Sequence, residues 1–446
     1  MIPAPTAAPS DSATLLCLAF IFLVPCAAAG LALISTGLGR SRSAAHSMMS
    51  SLCVLAVAAL AYFVCGFAWQ GFAGGPAHLV SVGGKEWSWI AAGPFFLRHQ
   101  ALDGSPASLA ALLGMFSVGL AALIPLGSGA DRWRLGACCA STAVLAGWTY
   151  PLFAHWVWGG GWLARLGANC GLGSGFVDSG GAGTIQAVGG LTALSIAWIV
   201  GARHGKYAHD GMPTAIPGHN GVLVILGCML ALLGWLGLNS AGAVIYNGAE
   251  PGQAVLVAIN TILCAATAAL TAAVITHVRF GKPDASLTAN GWIGGLAASS
   301  GACAFVSPAE AATIGLLAGA LVTFSVEWFE FHMSVDDPGG SISAHAMGGL
   351  WGVFSVGIFA RIPAIAMNAA GKPTTGATGQ WLAQLVGIAT LVGFVLPLTY
   401  GLNWLLDRAY PQRVAAEGER QGMDLYELGA GAYPEFIVHS DEFTER

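Results

Sequence analysis

Two matching stretches, 159 positions apart, hold the residues of this 446-residue chain best suited to chemistry. Asp178 is followed by Gly180-Gly181, Gln186 and Gly189-Gly190-Leu191. Asp337 is followed in the same register by Gly339-Gly340, His345 and Gly348-Gly349-Leu350. Each copy reads as a carboxylate at a helix entry with a polar side chain eight residues further on, about 12 Å deeper at 1.5 Å per residue. An imidazole donates, accepts and titrates near neutral pH, whereas an amide donates and accepts but holds no extra proton. The carboxylates suit capping of exposed N–H groups, with attraction of a cation as the lesser role. The glycines suit close helix packing.

The elements that position these residues are membrane helices. Hydrophobic residues make up 55% of the chain and charged residues 9%, against roughly 25% charged in an ordinary soluble domain. Mean hydropathy is +0.69. With a net charge of −5, the chain offers no basic surface for nucleic acid. This composition excludes a typical cytosolic enzyme and a disordered regulator; the solvent of most of this chain is a lipid bilayer.

A span needs about 20 mostly apolar residues. That rule places spans near 13–35, 47–69, 107–127, 135–157, 180–202, 219–241, 252–276, 286–305, 307–329, 341–360 and 379–406. The expected class is an all-α polytopic membrane protein of eleven transmembrane helices. Residues 1–406 form the membrane domain and 407–446 a polar tail. Residues 70–106 read as a long loop with an amphipathic, aromatic piece around Trp87, Trp89, Phe95 and Phe96. With the N-terminus outside, twelve Lys and Arg fall on inner segments (among them Arg132, Arg203, Lys206 and Arg446). Five fall outside: Lys85, Arg98, Arg165, Arg361 and Lys372. The positive-inside rule therefore expects the N-terminus outside and the C-terminus inside, in an inner or plasma membrane. Five spans separate the two motif copies, so they enter from opposite sides. That is the mark of a five-plus-five inverted repeat, whose sites lie near the midplane, where Gln186 and His345 are expected to meet. A polar side chain at that depth is a functional-site candidate.

Other candidates carry less. The ten cysteines show no metal or disulfide spacing and read as packing residues. His155 reads as a packed or interfacial histidine. His204, His209 and His219, with Arg203, Lys206 and Asp210, read as solvated loop residues. No metal, cofactor or nucleophile–base spacing is expected.

Several motifs in order carry a family resemblance. They are His155-Trp156-Val157-Trp158 with Gly159-Gly160-Gly161, the run from Gly234 to Asn239, Asn290-Gly291, Phe305-Val306-Ser307-Pro308, and the run from Asp336 to Trp351. The tail adds Glu419 to Asp424 and Ala432-Tyr433. On these residues the chain resembles the ammonium transporter (Amt/MEP/Rh) family, bacterial Amt branch, over nearly its whole length. The resemblance implies a homotrimer with one apolar pore per subunit. In that family, ammonium is recruited at the outer mouth and deprotonated, and ammonia or its equivalent passes two gating Phe rings and a histidine pair. The second histidine maps onto His345 and the first onto Gln186, a departure. The recruiting Trp maps onto Trp158, whose face could hold a cation. One gate Phe maps onto Phe116 and the other onto Leu238; a vestibule Phe falls on Leu112 and the recruiting Ser on Gly242. Asp178 completes the expected substrate-binding set. In the tail, Glu419, Gly422 and Asp424 are the regulatory residues implied, with docking of a PII-type signalling protein beside a purely structural role. Ammonium transport is the leading function. An ammonium sensor that does not conduct is the competing one, and another small solute is a third.

Overall fold

The computed structural model describes residues 11–362 and 379–433, together with the strands Ala366–Met367 and Pro373–Thr374. Lys372, Arg446 and the rest of the tail after residue 433 lie outside the described residues.

Long helices dominate: α1 (Asp11–Leu38), α2 (Ser41–Gln70), α3 (Pro106–Gly129), α4 (Leu135–Val157), α5 (Ala182–Val200), α6 (Gly221–Asn247) and α7 (Pro251–Phe280). They are followed by α8 (Ala285–Ala302), α9 (Pro308–Met333), α10 (Ile342–Phe359) and α11 (Gln380–Ala409). Ten of these, all except α8, are long and apolar enough to cross a membrane. The protein is a multi-pass membrane protein. Helix α8 has 18 residues, and its Gly, Ser, Thr and Asn residues lower its apolarity while its second half is buried. Small residues let neighbouring backbones approach, so this helix is held by packing.

Helix starts follow local chemistry. The Asn220 side-chain oxygen accepts from Val222 and Leu223 N–H, each at 3.1 Å, and opens α6. Asp284 accepts from Leu287 N–H at 2.8 Å and opens α8. Ser307 and Glu310 form a reciprocal capping box at α9, with Pro308 at the first helical position. Each such cap is worth about 1 kcal/mol.

The helices pair in a pattern that recurs five helices along the chain. Helix α3 packs on α5 and α8 on α10; α2 packs on α3 and α7 on α8; α1 packs along α6. Tiers of alanine and glycine fill these contacts.

The segment expected to be an amphipathic loop piece is a β-hairpin, β1 (Ala77–Val82) against β2 (Lys85–Ala91). The physical reason is the Gly83-Gly84 pair, both at positive φ, which supplies the turn that twisted strands favour. Ser88 Oγ lies 2.8 Å from His155 Nε2, and His155 Nδ1 lies 2.8 Å from the Gln70 carbonyl. His155 is thus a fully buried packing residue that ties hairpin to bundle.

Candidate functional site

Both copies of the repeated motif fold in the same way. Gly181 and Gly340 take positive φ, +91° and +62°, a conformation that side chains resist. Asp178 Oδ2 accepts the N–H of Gly183 at 3.0 Å, and Asp337 Oδ2 accepts the N–H of Ile342 at 2.7 Å, each five residues on. Thr184 adds its N–H and hydroxyl to Asp178, both at 2.8 Å. Both aspartates therefore cap helix entries. In both, the other oxygen, Oδ1, is buried without a hydrogen-bond partner. Burial pushes each carboxyl up to about 6, against the pull of these donors.

The turn after each cap is a π-turn, Ala182–Ala187 and Ile342–Met347. Such turns are rare in proteins, but four others occur among the described residues, so the turn by itself does not mark the site. Each carries the polar residue of its copy. Helices α5 and α10 then cross closely enough that a β-carbon at Gly190 would run into the Ala346 backbone. One at Gly349 would run into the Ala182 carbonyl. The crossing brings Gln186 and His345 together.

Gln186 Oε1 lies 2.8 Å from His345 Nδ1. Both side chains are buried, at 0% and 3% exposure. An amide oxygen only accepts, so Nδ1 carries the hydrogen and Nε2 presents a lone pair. Gln186 Nε2 has no hydrogen-bond partner. The pair therefore offers a free acceptor on the imidazole and a free donor on the amide. The Trp235 ring lies 6.4 Å from the imidazole, its indole N–H donating to Ser300 Oγ at 3.2 Å.

Around Trp158 the picture changes. Trp158 Nε1 donates to the Asp178 carbonyl at 2.8 Å, so two of the expected substrate-binding residues meet. A cavity of about 60 Å³ is lined by both, with Phe176, Tyr246 and Asn247. However, Tyr246 stacks on Trp158 with ring centroids 4.2 Å apart and planes 2° from parallel. Trp158 is only 6% exposed, and the Tyr246 ring covers one face of its indole. Leu238 is buried, and Phe116 is half-buried against the same core. Neither lines the cavity beside Trp158. Tyr246 escaped the sequence reading, although positions 238, 242 and 246 recur every four residues on one face of α6.

At the opposite end of the bundle, two of the loop residues expected to be solvated, Arg203 and Lys206, are buried, whereas His204, His209 and Asp210 are exposed and His219 is half-buried. Arg203 donates to Asp336 through Nε at 2.9 Å and Nη2 at 3.0 Å, and to Asp131 through Nη1 at 3.1 Å. Arg132 is fully buried and donates to the carbonyls of Ser128, Ala130, Gly201 and Asp336. Burial pushes the Asp336 carboxyl up, but the charges of Arg132 and Arg203 outweigh it and hold it near 2. Lys206 pairs with Glu330. The burial of these cations has a clear cause: two adjacent acids precede α10, and only Asp337 can cap it. Asp336 must find cations, and the loops before α4 and after α5 supply them.

The tail closes over this end. Glu419 is buried, accepting from His204 N–H at 2.7 Å and from Arg413 at 2.8 Å. Gly422, at φ +103°, leads into Asp424, which accepts from the N–H groups of Ala45 (3.2 Å) and His46 (2.7 Å) near the start of α2. Glu427, missed in the sequence, accepts from Leu135 N–H at 2.8 Å, at the start of α4, and contacts His46 Nε2 at 2.8 Å. The tail thus sets two carboxylates against the exposed N–H groups of two helices. A carboxylate three residues after the Gly422–Asp424 run was the available signal.

Known proteins align with this arrangement. The model of the Ammonium Transporter Family matches residues 14–433. Ammonium transporter Amt2 of Archaeoglobus fulgidus is 35% identical over 434 residues, covering 94% of this chain and 88% of that protein. An ammonium transporter of Bacillus subtilis is 30% identical, covering 91% of this chain and 94% of that one. Among solved structures, one titled Sensor Amt Protein superposes with a TM-score of 0.81 at 26% identity, covering 93% of this chain and 98% of its own. Mep2 of Candida albicans superposes at 0.75 with 23% identity, covering 96% and 91%, and shares the fold. From its motifs, its fold and these matches, the chain belongs to the ammonium transporter family.

Proposed function

We propose that the protein transports ammonium across a membrane as ammonia, through an apolar pore in each subunit of a homotrimer. In this reading Trp158, Phe116 and Asp178 form the recruiting mouth, where the ion gives up a proton to the water outside. Leu238, Gln186 and His345 line the conduit. An apolar passage rejects a bare charge, since desolvating an ion there is far more costly than desolvating a neutral molecule. Ammonia fits the central pair: His345 Nε2 can accept one of its N–H groups, and the Gln186 amide can donate to its lone pair. The observation that carries this reading is the buried Gln186–His345 contact at a helix crossing.

The topology we infer has eleven spans, α8 included, related by a five-plus-five inverted repeat. Two hydrogen bonds support α8 as the counterpart of α3. Gly180 N–H donates to Ser300 on α8 at 2.6 Å, and Gly339 N–H to Gly127 on α3 at 3.0 Å. The N-terminus then lies outside, the C-terminus inside an inner or plasma membrane, and residues 1–406 form the transport domain. Residues 407–446 form the regulatory tail, in which Glu419, Gly422 and Asp424 hold the inner loops and present a surface for a PII-type protein.

Cells lacking other uptake routes are expected to grow on low ammonium when given this chain, and His345→Ala should abolish that growth. Growth no better than empty vector, with the protein present in the membrane, would overturn the reading. A second reading, ammonium sensing without conduction, is favoured by the amide at Gln186 and by the likeness to the protein titled Sensor Amt Protein. Ammonium binding without flux in liposomes would select it.

A further inference from the structure

We propose that Tyr246 is a specificity-determining residue of the outer mouth. It shields the Trp158 face and shifts cation recognition from an aromatic surface to the oxygen acceptors of Asp178 and Asn247. The inference rests on the transport reading for its substrate but not for its geometry. A cation held by an indole must lie over the ring within about 6 Å of its centroid. On one face of the indole the Tyr246 ring occupies that place at 4.2 Å, nearly parallel. Carbon atoms in van der Waals contact are already about 3.5–4.0 Å apart, so no ion fits between the rings. The indole is fixed by its bond to the Asp178 carbonyl and is almost wholly buried.

What is left for a cation is the small cavity beside the stacked pair. Its volume of about 60 Å³ exceeds the 10–15 Å³ that one water needs, and ammonium is close to water in size. Asp178 lines it, is buried, and has one carboxylate oxygen without a partner. Asn247 also lines it; its amide nitrogen donates to Ser179 Oγ, which leaves the amide oxygen as an acceptor. Recognition by acceptors differs from recognition by a ring. Each methyl group on an ammonium ion replaces an N–H, the only kind of group these acceptors bind, with an apolar group that must fit the same small polar cavity, so such a site favours the unsubstituted ion. An aromatic face tolerates alkylation. Tyr246 therefore sharpens the preference for ammonium over methylammonium.

The test uses the full chain in proteoliposomes and in detergent, with ammonium and methylammonium as probes. Two readouts are taken: the methylammonium-to-ammonium flux ratio and the thermal stabilisation each cation gives. Tyr246→Ala uncovers the indole and is expected to raise the flux ratio about tenfold, a change of the size that cation–π contacts supply, and to raise the stabilisation by methylammonium relative to ammonium, which grows with the logarithm of affinity. Tyr246→Phe keeps the stack and is expected to stay within about twofold of the parent. Ratios unchanged in a folded Tyr246→Ala, or raised equally in Tyr246→Phe, would overturn the proposal. If the parent shows no flux but the stabilisation ratios shift as expected, the transport reading fails and the role of Tyr246 stands.

Discussion

Gln186 and His345 are 159 residues apart in sequence and 2.8 Å apart in space, Oε1 to Nδ1. The contact fixes the tautomer of His345 and leaves its Nε2 as an acceptor. It also sets a chemical limit, because an amide cannot take up and pass on a proton as a second imidazole could.

Replacing the amide with an imidazole should therefore change the charge that crosses. With the parent chain, an ammonium gradient is expected to make the vesicle interior alkaline without a sustained current. Gln186→His is expected to carry current on a solid-supported membrane. Gln186→Leu strands the His345 Nδ1 hydrogen in the interior and is expected to cost about 1–3 kcal/mol, seen as a lower melting temperature.

The close crossing of α5 and α10 gives a separate test. A β-carbon at Gly190 or Gly349 meets backbone, which cannot yield by rotating a side chain. Gly190→Ala and Gly349→Ala are each expected to destabilise by about 1–3 kcal/mol and to weaken flux, because the helices that hold the pair must part. Exposed Gly252, where an added β-carbon meets nothing, is the control.

The two capping aspartates predict a pH dependence. Burial raises both carboxyls from 3.8 to about 6 in the folded state. A raised folded value means that their stabilising contribution is complete below the unfolded value and is lost as pH rises through about 6. Melting temperature is expected to rise as pH falls from 7.5 to 5.5. The double variant Asp178→Asn, Asp337→Asn should flatten that slope. Asp336 acts oppositely, but only as pH falls through about 2, outside this window.

The tail makes its own prediction. Asp424 and Glu427 each satisfy N–H groups at helix starts. Asp424→Ala and Glu427→Ala are each expected to cost about 1 kcal/mol of tail docking. Faster hydrogen exchange over residues 410–433, with the spans unchanged, is the measurement. Equal exchange in parent and variants would assign the docking to other contacts.

Much of this was legible in the sequence, for physical reasons. The repeat of Asp178 and Gln186 in Asp337 and His345 carries the capping, the left-handed glycines and the crossing, because each depends on local residue type. Ten spans followed from apolarity. Helix α8 sits at the edge of that signal, since Gly and Ser buried against other helices look polar on a hydropathy scale. What stayed hidden depends on contacts made far along the chain. The Trp158–Tyr246 stack joins residues from α6 and the loop after α4. The burial of Arg203 follows from Asp336, 133 positions away. Spacing along one helix cannot report either.

Ammonia is proposed to pass the Gln186–His345 pair. The most direct measurement is luminal alkalinisation of proteoliposomes after an inward ammonium gradient, followed with a trapped pH-sensitive dye. The parent chain is expected to alkalinise the lumen well faster than empty vesicles, and His345→Ala, at equal protein density, to fall to the empty-vesicle rate. Equal rates for the parent and His345→Ala would contradict the claim and place the conduit elsewhere.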